Sequence, residues 1–327
     1  GPQMEMGQGG KGGELRVKYS EQIHPELRKI ARKVPYNRAV IRCANLFQRV
    51  SYRLTKTPGG VTDRRGVLKG HRGLLFGGDI FEPADQTEKR PCLLYVHGGA
   101  FSYRASAYHK KLAALYAAGA GCSVYFPDYH LTPKYPYPAA YDDVLALYRW
   151  VVSHLEELGI DGERIGVAGD SAGASIAALI CNRCEGEGLK PPCLQMLVYP
   201  LTDVEMQTDS MKRFLDTPVW NAKSNRRMWS YCCGALKEEE RYAASPMHSR
   251  LPRIIPDTYI ETAEYDCLHD EGILYGERLR EAGANVEQNE TRGTIHGYDC
   301  AINTQIAVEN IEKRILFLQK GFGSSPI

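Results

Sequence analysis

From residue 92 onward the chain alternates short apolar runs with helical patterns, and this alternation constrains the fold more than any other feature. Runs at 92–96, 122–126, 165–168, 195–199, 258–262 and 285–290 read as strands. Segments 105–118, 138–158, 172–182, 271–281 and 302–318 read as helices, the second with Pro138 at its start and Gly159 at its end. Parallel strands need a crossover to bring the chain back to the same edge, and helices then cover both faces. The prediction is an α/β fold with a mostly parallel central sheet, flanked by helices, with strands before Pro91 adding an antiparallel edge. Residues 19–50 read as helical, with Leu27, Ile30, Val34, Val40, Ile41 and Leu46 as apolar positions, and a polar, glycine-rich stretch at 55–73 follows. Segment 202–249 breaks the alternation. It is long, polar and helical in character, carries Trp220, Met228, Trp229 and Tyr231, and reads as an inserted lid or binding element.

Within that frame, Gly169-Asp170-Ser171-Ala172-Gly173 joins the 165–168 strand to the 172–182 helix. A sharp strand-to-helix turn leaves the serine exposed at its apex, and glycines two residues to either side permit the close approach it requires. The helix begins at the serine, so its first amides face negative charge forming near Ser171 Oγ. A serine hydroxyl is a poor nucleophile at neutral pH. It needs a base, and the base needs an anion to orient it. In this topology the acid and then the histidine follow the serine, each after a later strand. Asp266 follows the 258–262 strand and His296 follows the 285–290 strand, both at the edge where open α/β sheets place their sites. Asp270 is the better-placed N-cap for the next helix, which leaves Asp266 free to orient His296. After the 92–96 strand, His97-Gly98-Gly99-Ala100 lies on the same edge. The amides of Gly98, Gly99 and Ala172 are the expected donors to a tetrahedral oxyanion, with His97 structural.

Composition excludes several classes. With a net charge of +2, bulk charge makes no case for nucleic acid or an anionic membrane. No apolar run approaches the ~20 residues of a membrane span, so stable membrane insertion is not expected. The length of 327 residues permits one large domain or a core with an appendage. Residues 1–13 read as a tag or linker with no apolar leader, which points to a cytoplasmic protein with reduced thiols. The ten cysteines fit that reading: Cys92, Cys122, Cys181, Cys184 and Cys267 fall in apolar patterns, and the Cys181/Cys184 pair lacks a second pair at metal-ligand spacing.

The set His97-Gly98-Gly99-Ala100-Phe101, Gly169-Asp170-Ser171-Ala172-Gly173, Tyr265-Asp266-Cys267-Leu268-His269-Asp270-Glu271-Gly272 and His296-Gly297-Tyr298 resembles the hormone-sensitive-lipase-like family of the α/β-hydrolase fold. So does the 127–140 stretch, similar to that family's D-Y-R-L-A-P-E-x-P-F-P-A-A signature. The resemblance runs from about residue 90 to 300. It implies a Ser171, His296, Asp266 triad, an oxyanion hole of Gly98, Gly99 and Ala172, and neither cofactor nor metal. It also implies a cap built from 14–60 and 202–249, around a core of 61–201 and 250–327. Dimers are common in the family, though no surface in the sequence marks a homodimer interface. Ala100 departs from the family's third glycine, and the added methyl tightens the pocket against bulky alcohols. His130 and Lys134 replace Arg and Glu of the signature.

The expected activity is hydrolysis of short-chain carboxylic esters through an acyl-enzyme, with a small-molecule ester as partner. Phe101, Tyr199, Trp220 and Tyr298 are the candidate pocket walls. Activity should fall in acid, where a protonated His296 has no lone pair with which to act as the base. Alternatives are deacetylation of carbohydrates or small metabolites, amide hydrolysis, long-chain lipase activity, and a ligand-binding receptor. The intact triad residues argue against the last.

Overall fold

A computed structural model describes residues 19–85 and 88–323. Its strands are β1 (Val61–Lys69), β2 (Leu75–Pro83), β3 (Arg90–Val96), β4 (Ser123–Asp128), β5 (Ile160–Asp170), β6 (Leu194–Val198), β7 (Asp257–Tyr265) and β8 (Val286–Ile295). They form one sheet in the order β1-β2-β4-β3-β5-β6-β7-β8. β1 pairs antiparallel with β2, and β2 with β4; the remaining pairs are parallel. The helices are α1 (Arg38–Leu54), α2 (Ala107–Ala120), α3 (Ala139–Ser153), α4 (Leu155–Leu158), α5 (Ala172–Arg183), α6 (Asp209–Arg213), α7 (Ala222–Cys233), α8 (Glu238–Ala243), α9 (His269–Glu281) and α10 (Gln305–Phe322).

Residues on β3 show how the layers form. Cys92, Leu94 and Val96 enter a core shared with α3, α5 and α9, whereas Leu93 and Tyr95 enter one shared with α2 and α10. Side chains alternate across a strand, so a continuous apolar run buries both faces of the sheet. The sheet is therefore a three-layer sandwich whose parallel strands end along one edge.

Local differences from the sequence expectation have local causes. Residues 19–36 do not form a helix: 19–30 run as turns with a short 3-10 turn at Pro25–Leu27, 31–36 are irregular, and regular helix begins at Arg38 after Asn37 caps Val40 N–H. Pro35 lacks an amide proton and biases its predecessor away from helix. β1 lies inside the polar 55–73 stretch. It is an edge strand exposed along most of its length, so no alternation of apolar residues betrays it. The 138–158 helix breaks at His154 (φ −127°, ψ 27°) into α3 and α4, and Gly159 closes it in the left-handed region. α6, α7 and α8 occupy the 202–249 segment between β6 and β7. The expected 1–13 linker lies outside the described residues, as do 14–18 of the expected first cap segment and 324–327.

Candidate active site

β5 ends at Asp170, α5 begins at Ala172, and Ser171 sits between them at φ 55°, ψ −118°. A left-handed φ on a non-glycine residue costs of order 1–3 kcal/mol and persists only where its surroundings enforce it. Here Ser171 N–H donates to Val198 O at 2.8 Å, and Ser171 O accepts from Ser175 N at 3.2 Å and Leu201 N at 3.3 Å. The flanking glycines are dictated by space. A Cβ on Gly169 would lie 2.3 Å from the Gly173 carbonyl carbon, and one on Gly173 would lie 2.0 Å from Val96 O. The turn therefore packs directly against the end of β3, which places the 97–100 loop beside Ser171.

β7 and β8 run parallel with Tyr265 opposite Ile295, so the next residues, Asp266 and His296, emerge side by side. His296 Nδ1 lies 2.6 Å from Asp266 Oδ2, and His296 Nε2 lies 2.8 Å from Ser171 Oγ. Asp266 is fully buried and its Oδ1 accepts Leu268 N–H at 3.0 Å. With a carboxylate on Nδ1, that nitrogen carries the proton and Nε2 offers its lone pair to the serine hydroxyl. The structure thus brings together the three residues singled out in the sequence. Asp270 is not the N-cap: Leu268 holds that position, while Asp270 sits in the first turn of α9 and accepts Ser210 N–H at 2.8 Å.

Gly98 lies against the same turn, since a Cβ there would come within 3.2 Å of Ser171 Cβ. Among the described residues, no hydrogen bond engages the amides of Gly98, Gly99 or Ala172, leaving three donors around the serine. His97 Nδ1 bonds Gly98 O at 2.6 Å and its ring stacks on Tyr129, whose hydroxyl donates to His97 O. Burial and the neighbouring His109 lower the His97 pKa to about 4. Beneath the serine, Asp170 accepts from Tyr95 Oη and from His109 Nε2, each at 3.0 Å. His109 Nδ1 accepts Ser106 N–H at 3.0 Å, so the ring's proton sits on Nε2 and goes to Asp170. Burial alone would raise the Asp170 pKa, but His109, His97 and Tyr95 hold it below the usual carboxylate value.

A cavity open to solvent contains Ser171 and His296. Of the four candidate walls, Tyr199 and Trp220 line it. Phe101 and Tyr298 do not. The ring of Phe101 faces Trp229 and a separate small cavity beside Ser175. Tyr298 is fully buried and donates to Glu261 Oε2 at 2.9 Å. Both are apolar-aromatic residues next to motif residues, and adjacency in sequence does not set which way a side chain points. Val40, Ala44 and Gln48 of α1 form a wall that sequence reasoning missed.

Two buried polar groups were also missed. Arg314, with no solvent exposure, contacts Glu261 through Nε (3.0 Å) and Nη2 (2.5 Å) and Asp299 through Nη1 (2.8 Å). Asp299 in turn accepts Tyr199 Oη at 2.7 Å, and the Tyr199 ring lies 4.5 Å from the His296 ring. This network props the floor under His296. Its sequence signal is a charge in the apolar stripe of α10, in step with Ala307, Ile311 and Leu318. Glu271 is the second. Its Oε2 accepts Thr202 N–H at 2.5 Å and Asp203 N–H at 2.9 Å, and burial raises its pKa well above the usual value. It anchors the loop that grips Ser171 through Leu201.

A family model described as the alpha/beta hydrolase fold matches residues 93–299. The chain belongs to that family, in its hormone-sensitive-lipase-like branch. Among its relatives, the esterase LipI of Mycobacterium tuberculosis is 38% identical over 65% of this chain and 67% of that protein. The carboxylesterase NlhH of the same species is 33% identical over 67% and 70%. The crystal structure of esterase LipW from Mycobacterium marinum superposes with a TM-score of 0.84 at 26% identity, covering 94% of this chain and 98% of that one. Among the described residues, no helix is long and apolar enough to cross a membrane.

Proposed function

We propose that the chain is a serine carboxylesterase acting on short-chain acyl esters. The carrying observation is the continuous Asp266–His296–Ser171 relay, at 2.6 and 2.8 Å, opening into a single cavity. Ser171 Oγ attacks the ester carbonyl while His296 Nε2 takes its proton. The oxyanion forms within reach of the Gly98, Gly99 and Ala172 amides. His296 returns the proton to the leaving alcohol, and a water repeats the sequence on the acyl-enzyme. Asp266 holds the imidazole tautomer and stabilises the imidazolium. Residues 14–60 and 202–249 act as the cap. Supporting that role, Val40 and Ala44 from the first segment and Val219 and Trp220 from the second close the cavity over Ser171. The names of LipI and NlhH as esterase and carboxylesterase support the reaction class.

The test is a series of p-nitrophenyl esters from acetate to dodecanoate, run on wild type and Ser171→Ala. The expected result is turnover that peaks at short chains and falls by several orders of magnitude in the variant. Wild-type binding of esters without turnover would move the chain to a receptor role.

A further inference from the structure

Helix α1 is amphipathic in the reverse of the usual sense. A surface helix ordinarily turns its apolar stripe to the core. Here the inward face carries hydrogen-bonding residues. Asn45 Nδ2 donates to Ser102 O at 2.9 Å, Asn45 Oδ1 accepts Arg104 N–H at 2.8 Å, and Tyr52 Oη donates to Asp79 Oδ2 at 2.5 Å. Ile41 is the helix's one buried residue. The apolar residues point outward: Leu46, Phe47, Val50 and Leu54 are 68, 71, 52 and 75% exposed. Their spacing places them along one stripe of the helix. Arg38, Arg42, Arg49 and Arg53, all exposed, recur at helical spacing along one flank of that stripe. On its other flank lie Val40 and Ala44, which line the cavity holding Ser171.

Charge in this region is one-sided. Residues 28–56 hold nine Lys and Arg and no Asp or Glu, an excess that the net charge of +2 conceals because the acids lie elsewhere. Among the described residues, Arg42, Arg49 and Arg53 form no ion pair with a carboxylate. A helix with Phe and Leu on one stripe and arginines beside it fits the boundary of an anionic lipid layer, where the apolar side chains enter the acyl region and the cations meet phosphate and carboxylate headgroups. We propose that α1 docks the protein reversibly on an anionic lipid surface, with the mouth of the Ser171 cavity turned toward that surface. Resting on the ester-hydrolase reading, the corollary is that substrates are esters dissolved in the layer. Docking is peripheral and inserts no spanning segment.

The experiment is co-sedimentation of the full chain with phosphatidylcholine vesicles, with and without phosphatidylserine, at low and high ionic strength. Hydrolysis of a water-soluble butyrate ester is measured on the same samples. The expected result is at least about tenfold more chain on the anionic vesicles, lost at high salt. Phe47→Ser/Leu54→Ser should lower vesicle binding about tenfold, and Arg42→Gln/Arg49→Gln/Arg53→Gln should remove the preference for anionic lipid. None of these residues lines the cavity, so soluble-ester turnover should stay at the wild-type level in both variants. Equal, weak binding to both vesicle types would overturn the proposal. So would a wild-type dimer in solution that Phe47→Ser/Leu54→Ser converts to monomer, because a second copy would then cover the stripe. Vesicle binding without soluble-ester turnover would instead refute the ester-hydrolase reading and leave docking standing.

Discussion

Replacing Gly98 with alanine separates the oxyanion hole from the rest of the site. The added Cβ would lie 2.7 Å from Asp170 O, about 0.7 Å inside the 3.4 Å at which ordinary contact begins, and 2.6 Å from Asp170 Oδ2. Asp170 O is backbone at the end of β5, and Asp170 Oδ2 is held by His109 Nε2 at 3.0 Å, so neither yields easily. The 98–99 loop must therefore retreat, against the His97 Nδ1 to Gly98 O bond of 2.6 Å. A retreat of that size removes the Gly98 amide from the oxyanion position and shifts the Gly99 amide with it. Losing one preorganised donor costs about 2.7–4 kcal/mol of transition-state stabilisation, so kcat should fall about 10²- to 10³-fold. KM should change little, because the interaction is made in the transition state. Overpacking adds a stability cost of about 1–3 kcal/mol, readable as a lower melting temperature. Steady-state kinetics on p-nitrophenyl butyrate, with a thermal melt on the same protein, measure both. A kcat within about threefold of wild type would refute the assignment, since a displaced donor cannot leave the rate intact.

Three further outcomes follow from the buried polar groups and the relay. Arg314→Met leaves Glu261 and Asp299 buried without their cation and should cost about 3–5 kcal/mol in urea unfolding; a loss under about 1 kcal/mol would show that the network does not support the fold. His97 binds its proton in the unfolded chain below pH 6.5 but in the fold only near pH 4. Its contribution is therefore complete above 6.5 and shrinks as pH falls, by about 3 kcal/mol at pH 4. Urea titrations of His97→Gln at pH 7 and pH 4 should show a correspondingly smaller acid loss than wild type. Asp266→Asn keeps the shape but permits the wrong imidazole tautomer, so kcat should drop about 10⁴-fold with the melting temperature nearly unchanged.

The strand-helix alternation determined the parallel sheet, because period and length of apolar runs are local properties that a parallel, two-faced sheet requires. Ser171, Asp266 and His296 were legible for a related reason: each sits just past a strand, and parallel strands deliver their ends to one edge. What local pattern could not supply was direction and burial. Phe101 and Tyr298 adjoin site motifs yet point elsewhere, whereas Val40 and Ala44 reach the cavity from far upstream, because side-chain contacts depend on how α1 packs against α2 and the loop after β3. The antiparallel edge expected before Pro91 is there in β1 and β2, but the bounds of β1 stayed hidden because an exposed edge strand needs no alternation. Asp270 had the right residue type for a cap, but the chain enters α9 two residues earlier than its pattern indicated. The Arg314 network and the outward apolar stripe of α1 are likewise tertiary facts. A charge or an apolar residue acquires its meaning from what surrounds it, and only the folded chain fixes whether that is core, solvent or the mouth of the site.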